Sequence, residues 1–164
     1  MNKFFSILDT FCDYFIKPIS FVVGLFIAFA FFTGIVSRSI LGDAIFGLEE
    51  LILISVVWLY MFGAVLASKE DSHLKADFIP LLVKNEKAVM LIRMISIVIS
   101  IVLAVFFLTW AYSLVSWGIE KRQSTPIFSI PWVVSQISML FASCVMVLYL
   151  LRDLCKAAKK YSEI

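Results

Sequence analysis

The sequence predicts an all-α integral membrane protein with four transmembrane helices and amphipathic interfacial segments on the cytoplasmic side. Three observations carry this reading. Of 164 residues, 62% are hydrophobic and only 16% charged, where soluble domains run near half apolar and a quarter charged. Mean hydropathy is +1.02. The charges leave four uninterrupted windows, residues 18–37, 51–68, 94–119 and 123–151. A helix rising about 1.5 Å per residue needs roughly 20 residues to cross a ~30 Å hydrocarbon core, so each window holds one crossing. The whole chain, 1–164, reads as one four-helix membrane domain.

Ahead of the first window, Phe4, Leu8, Phe11 and Phe15 recur at helical spacing, with Asn2, Lys3, Ser6, Asp9 and Asp13 on other faces. This is the pattern of an amphipathic helix that either lies on the inner leaflet or extends the first span. Two acids and no small-residue cleavage site argue against a removable signal peptide, so the first span, 18–37, is expected in the mature protein. A loop with Gly42 and Gly47 leads to the second span, 51–68. The 69–93 connection mixes Leu74, Phe78, Ile79, Leu81 and Leu82 with flanking charge, which predicts a short interfacial helix interrupted near Pro80. Arg93 stands where it can snorkel out of the third span. That span, 94–119, exceeds one membrane thickness and must tilt or project. The last window contains Pro126 and Pro131. Proline is tolerated best in a first helical turn, so the fourth span is predicted over 131–151, with STPIFSI before it as a re-entering loop.

Lys and Arg number 11 in the N-terminal segment, the 69–93 loop and the tail, against 3 in the other two loops. Basic segments stay in the cytoplasm, which predicts both termini there. Trp117 and Trp132 fall at the opposite ends of the third and fourth spans, as an aromatic belt would place them. Trp58 lies about 10 Å inside the second span, where its indole N–H favours burial in a helix interface.

Several functions are excluded by what the spans lack. None of the windows contains Asp, Glu, Lys, Arg or His, and transport of an ion, proton or charged solute needs a group that exchanges for its solvation. A net charge of +2, scattered along the chain, gives no nucleic-acid footprint. Cys12, Cys144 and Cys155 form no CxxC pair and read as reduced and incidental, with no disulfide framework or zinc site. The single histidine, His73, lies in a loop, so no metal centre or Ser/His/Asp arrangement is expected within the membrane, and the chain reads as no enzyme and as holding no cofactor.

What remains is material for packing. Gly24 and Ala28, Ala30 and Gly34, Gly63 and Ala67, and Ser138 and Ala142 are small-residue pairs that permit close helix approach. The first expectation is packing within the unit, leaving large apolar surfaces for lipid or a partner subunit. Arg38 ends the first span, and Glu49 and Glu50 open the second. Each sign favours its helix dipole; an ion pair within the chain or to a partner is the other reading.

Taken in order, Arg38, Glu49 and Glu50, Trp58, the GAxxAS pattern over 63–68, then His73 and Asp77 in a basic loop, followed by TPIFSIPW, resemble the small, DctQ-like membrane subunit of tripartite ATP-independent periplasmic (TRAP) transporters. The resemblance covers nearly the whole chain and rests on order and spacing. Leu74 and Lys75 after His73 depart from the family's usual β-branched residue, and Lys121, Arg122 and Gln123 match no family motif.

The resemblance implies a sodium-driven importer of an organic acid such as a dicarboxylate or a sialic acid, in a bacterial inner membrane. A periplasmic binding protein would deliver solute to a large membrane subunit that carries it by an elevator motion. The small subunit would scaffold the fixed part of that machine and help dock the binding protein, with Arg38, Glu49, Glu50, Trp58, Gly63, Ala67, His73 and Asp77 as candidate partner contacts. The alternative is a self-contained homo-oligomeric channel or exporter. It would need polar residues on one face, where the spans offer scattered Ser, Thr and Gln136.

Overall fold

The computed structural model describes residues 2–40, 42, 45–70 and 86–162. Helix α1 (Asn2–Phe11) passes through a π-helical turn (Cys12–Ile16) directly into α2 (Lys17–Ile40). Then come α3 (Leu48–Lys69), α4 (Glu86–Lys121) and α5 (Val133–Ser162). The last four are the membrane helices: each contains a stretch long and apolar enough to cross a bilayer. Of the two sequence readings of the N-terminal segment, the structure takes the one in which it extends the first span. The predicted interfacial helix near Pro80 lies outside the described residues.

The membrane helices form an open row, not a closed bundle. α2 packs on α3, α3 on α5 and α5 on α4, while no extensive contact among the described residues joins α2 to α4. The long pair α4 and α5 explains itself by periodicity. Along α4 the buried positions Met90, Ile97, Ala104, Ala111 and Gly118 stand seven apart, with Val115 beside them. Along α5 they are Gln136, Ser143, Leu150 and Ala157, again seven apart. A heptad keeps one stripe of each helix facing its neighbour, the geometry of left-handed helix pairs. Small residues in both stripes let the backbones close in; Gly118 lies directly against the Gln136 side chain.

A second seven-residue pattern on α5, Ser138, Val145 and Arg152 with Ser135, Ala142 and Tyr149 between, faces the other way. Ala142, Val145 and Tyr149 share a core with Phe62 and Val65 of α3 and with Cys12 and Ile16, and Trp58 packs at its margin. Two seams on one helix make α5 the spine of the row. Its serines satisfy themselves in this apolar setting, Ser135 Oγ donating to the Trp132 carbonyl at 2.8 Å, Ser138 Oγ to that of Ser135 at 2.6 Å and Ser143 Oγ to that of Leu140 at 2.9 Å. At the edge, Ala30 of α2 is buried and Gly34 lets α3 approach, its position lying 3.2 Å from Leu48 Cδ2 as a methyl group would meet it.

The helices overrun the charge-free windows. α4 has 36 residues and α5 has 30, about 54 and 45 Å at 1.5 Å per residue. The excess falls at one end of the row, because at the other the α4 terminus and the α5 start are joined by a short loop. α5 starts at Val133, two residues after Pro131, and continues well past Leu151. A charged residue ends the hydrocarbon crossing, but nothing about it ends a helix.

Candidate functional site

The charged side chains gather at the two ends of the row, here the Arg38 end and the Arg152 end.

At the Arg38 end, Arg38 of α2 pairs with Glu49 of α3, both exposed. An exposed pair of this kind contributes little to stability. Glu50, the next residue, points the other way and is 7% exposed. Its carboxylate accepts the backbone N–H of Ile127 at 2.7 Å and of Phe128 at 3.0 Å, with the Thr125 hydroxyl as a further partner. The segment it holds is the predicted STPIFSI loop, folded as a tight hairpin. Thr125 N donates to the Ile130 carbonyl at 2.9 Å, Trp132 N to that of Gln123 at 3.0 Å, and Ile130 N to Thr125 Oγ1 at 3.0 Å. Gly47 caps α3 at φ +83°, and the Phe128 ring sits where a side chain at Gly47 would stand. Loop and helix start are thus built against each other, and Glu50 has an intramolecular role.

At the Arg152 end, α1, the end of α3 and the far part of α5 converge. Arg152, 8% exposed, donates through Nε to Asp153 at 3.0 Å, through Nη2 to the Lys69 carbonyl at 3.0 Å and through Nη1 to Asp9 at 3.5 Å. Its guanidinium lies 4.6 Å from the Tyr149 ring centroid and 5.8 Å from that of Phe5, within range of cation–π attraction. Tyr149 Oη, fully buried, donates to Asp9 Oδ1 at 2.9 Å and lies 3.4 Å from Cys12 Sγ. Lys69 pairs with Asp13 and donates to the Asp9 carbonyl at 3.3 Å. The charges of three segments thus tie those segments together. Cys12, read from the sequence as incidental, is part of this core, whereas Cys144 and Cys155 are exposed.

The sequence candidates therefore divide. Arg38 and Glu49 meet; Glu50 turns inward. Trp58 is half-buried, its ring 5.2 Å from that of Phe62. Gly63 is exposed with open space before it, and Ala67 is half-buried. With Glu49, Leu53 and Tyr60, Gly63 marks one stripe of α3 that no helix among the described residues covers. His73 and Asp77 lie outside the described residues. Sequence reading missed Asp9, Asp13, Lys69, Tyr149, Arg152 and Asp153, although one signal was present: acids on α1 and cations after the second and fourth windows fall at the same membrane depth.

Compared with known proteins, residues 21–160 match the family described as "Tripartite ATP-independent periplasmic transporters, DctQ component". The comparison with curated proteins finds no match.

Proposed function

The chain belongs to the DctQ component family of tripartite ATP-independent periplasmic transporters, and on that premise we propose that it is the small accessory subunit of a sodium-driven organic-acid importer, with a dicarboxylate, a sialic acid or a similar solute as cargo. The observation that carries the reading is the distribution of charge over an open row of helices. The charge-free middle of the row offers nothing to exchange for the solvation of an anion or of sodium. The charges at the ends bind the chain to itself. Transport chemistry belongs on this account to the large subunit.

A single layer with two broad apolar faces suits a scaffold. An elevator does work only against something held still, and a row of long helices widens the still part at small cost in mass. The exposed α3 stripe of Glu49, Leu53, Tyr60 and Gly63, with small Gly63 and Ala67 permitting close approach, is the proposed contact for the large subunit. The Arg38–Glu49 pair on the proposed periplasmic side is the proposed contact for the binding protein, and His73 and Asp77 remain proposed contacts of the opposite loop. A polar lumen, which the channel alternative requires, finds no support in one layer of helices.

Tagging the chain, extracting it in mild detergent and identifying its companions by mass spectrometry tests the reading. A much larger multi-span protein in near-equal amount supports it; a pure homo-oligomer that passes solute sinks it. Full-rate transport by the reconstituted large subunit alone would remove the scaffold role. Reporter fusions after Gly42 and Asp77 test the proposed orientation, with the Asp77 fusion expected on the cytoplasmic side.

A further inference from the structure

A groove of about 370 Å³ opens at the Arg152 end, lined by Phe5, Asp9, Asp13, Arg152 and Lys156 with Ser6 and Thr10. One wall, from α1 and the π-turn, carries two carboxylates; the other, from α5, carries a guanidinium and an ammonium. The four charges cancel. Two of the ion pairs that α5 makes along this groove are slack: Arg152 to Asp9 spans 3.5 Å and Lys156 to Asp153 spans 3.8 Å, where a close charge-assisted pair sits near 2.7–2.9 Å. Lys156 is largely exposed, and among the described residues no hydrogen bond reaches the second carboxylate oxygen of Asp9 or Asp13. A ligand carrying both signs would use these unspent donors and acceptors together.

Depth decides where such a ligand comes from. Arg152 lies 19 positions beyond Val133, about 29 Å along the helix, which is one hydrocarbon thickness. The groove therefore opens at the level of lipid headgroups. Above it on α2, successive turns on the same flank carry Lys17, Ser20, Gly24 and Ala28, and Gly24 has open space before it. The missing side chain at Gly24 leaves room beside α2 for an acyl chain.

We propose that this groove is a binding site for a zwitterionic phospholipid with a primary ammonium, a phosphatidylethanolamine, its phosphate on Arg152 and Lys156, its ammonium on Asp9 and Asp13, and an acyl chain along Gly24. Phosphatidylcholine offers no N–H to the carboxylates, and phosphatidylglycerol brings no cation. The site is independent of the transporter reading, since it uses only groups of this chain.

The test is native mass spectrometry of the delipidated complex purified through this chain, titrated with short-chain phosphatidylethanolamine, phosphatidylcholine and phosphatidylglycerol, and with soluble phosphoethanolamine. The ethanolamine lipid is expected to bind about tenfold more tightly than the other two, the equivalent of one good charge-assisted hydrogen bond. Combining Asp13→Asn with Lys156→Gln, both on exposed side chains, should erase that preference while the Asp9–Tyr149–Arg152 core keeps the fold. Gly24→Leu should weaken the lipid and leave soluble phosphoethanolamine unaffected. Equal binding of the three lipids, tighter binding of phosphatidylglycerol, or an undiminished preference in the double variant overturns the proposal. So does phosphoethanolamine binding as tightly as the lipid, or a groove that the delipidated complex shows filled by another subunit.

Discussion

Glu49 and Glu50 are adjacent in sequence and unlike in consequence. Successive helical residues point about 100° apart, so one carboxylate reaches outward to Arg38 while the other turns onto the 123–132 hairpin. Glu50→Gln keeps one acceptor oxygen but sets an NH2 group against a backbone N–H. The hairpin should detach, and the thermal midpoint of the detergent-purified complex should fall on the order of 3 °C or more. Glu49→Gln should leave the midpoint essentially unmoved, because its pair is exposed. Equal shifts for the two variants would show that Glu50 does not hold the loop. Gly47→Ala should also destabilise, since it asks an L-residue to take φ +83°, which costs about 1–2 kcal/mol, and places a methyl group in the Phe128 ring. The rim acids were visible in the sequence as a pair. Their division of labour was not, because the partner of Glu50 lies 77 residues away and donates from its backbone, which no side-chain pattern records.

Helices α4 and α5 show which parts of the fold the sequence exposes. Four crossings were legible because hydrocarbon tolerates no scattered charge. Their ends were not, because a helix that leaves the bilayer meets no physical barrier at the first Lys or Arg, and α4 begins at Glu86, well before the window at 94. The seven-residue repeat of Met90, Ile97, Ala104, Ala111 and Gly118 was present in the sequence, yet it hides in a helix that is apolar on every side. In such a helix small size, not hydrophobicity, marks the interface. Ala104→Leu is accordingly expected to overpack the α4–α5 seam and cost about 1–3 kcal/mol. Leu103→Phe, one position away and 64% exposed, should be neutral. Thermal melts of the two variants in the same detergent decide the point, and a neutral Ala104→Leu would mean that α4 does not pack by this stripe.

At the scale of the whole molecule, an open row has a weakness that a closed bundle lacks: among the described residues, each edge helix packs extensively on one membrane helix. α4 solves this with a long heptad seam. α2 has a shorter seam on α3, and its continuation α1 reaches past α3 to α5 through the Arg152 cluster, which works as a clasp across the row. A buried cation shared by two carboxylates is costly to remove, because Asp153 is left buried with only the distant Lys156 for company; breaking a buried pair costs about 3–5 kcal/mol. Arg152→Met should therefore sharply reduce the yield of intact complex, since it strips the partner from Asp9 and Asp153 and frees the Lys69 carbonyl. Tyr149→Phe removes one hydrogen bond to Asp9 without stranding a charge and should cost only about 1–2 kcal/mol. If the damage in Arg152→Met comes from uncompensated carboxylates, adding Asp9→Asn and Asp153→Asn to it should recover part of the lost yield. If it comes from lost packing of the guanidinium on Tyr149 and Phe5, the added substitutions should recover nothing. Co-purification yield across the three variants separates the two, and recovery in the triple variant would establish the clasp as electrostatic.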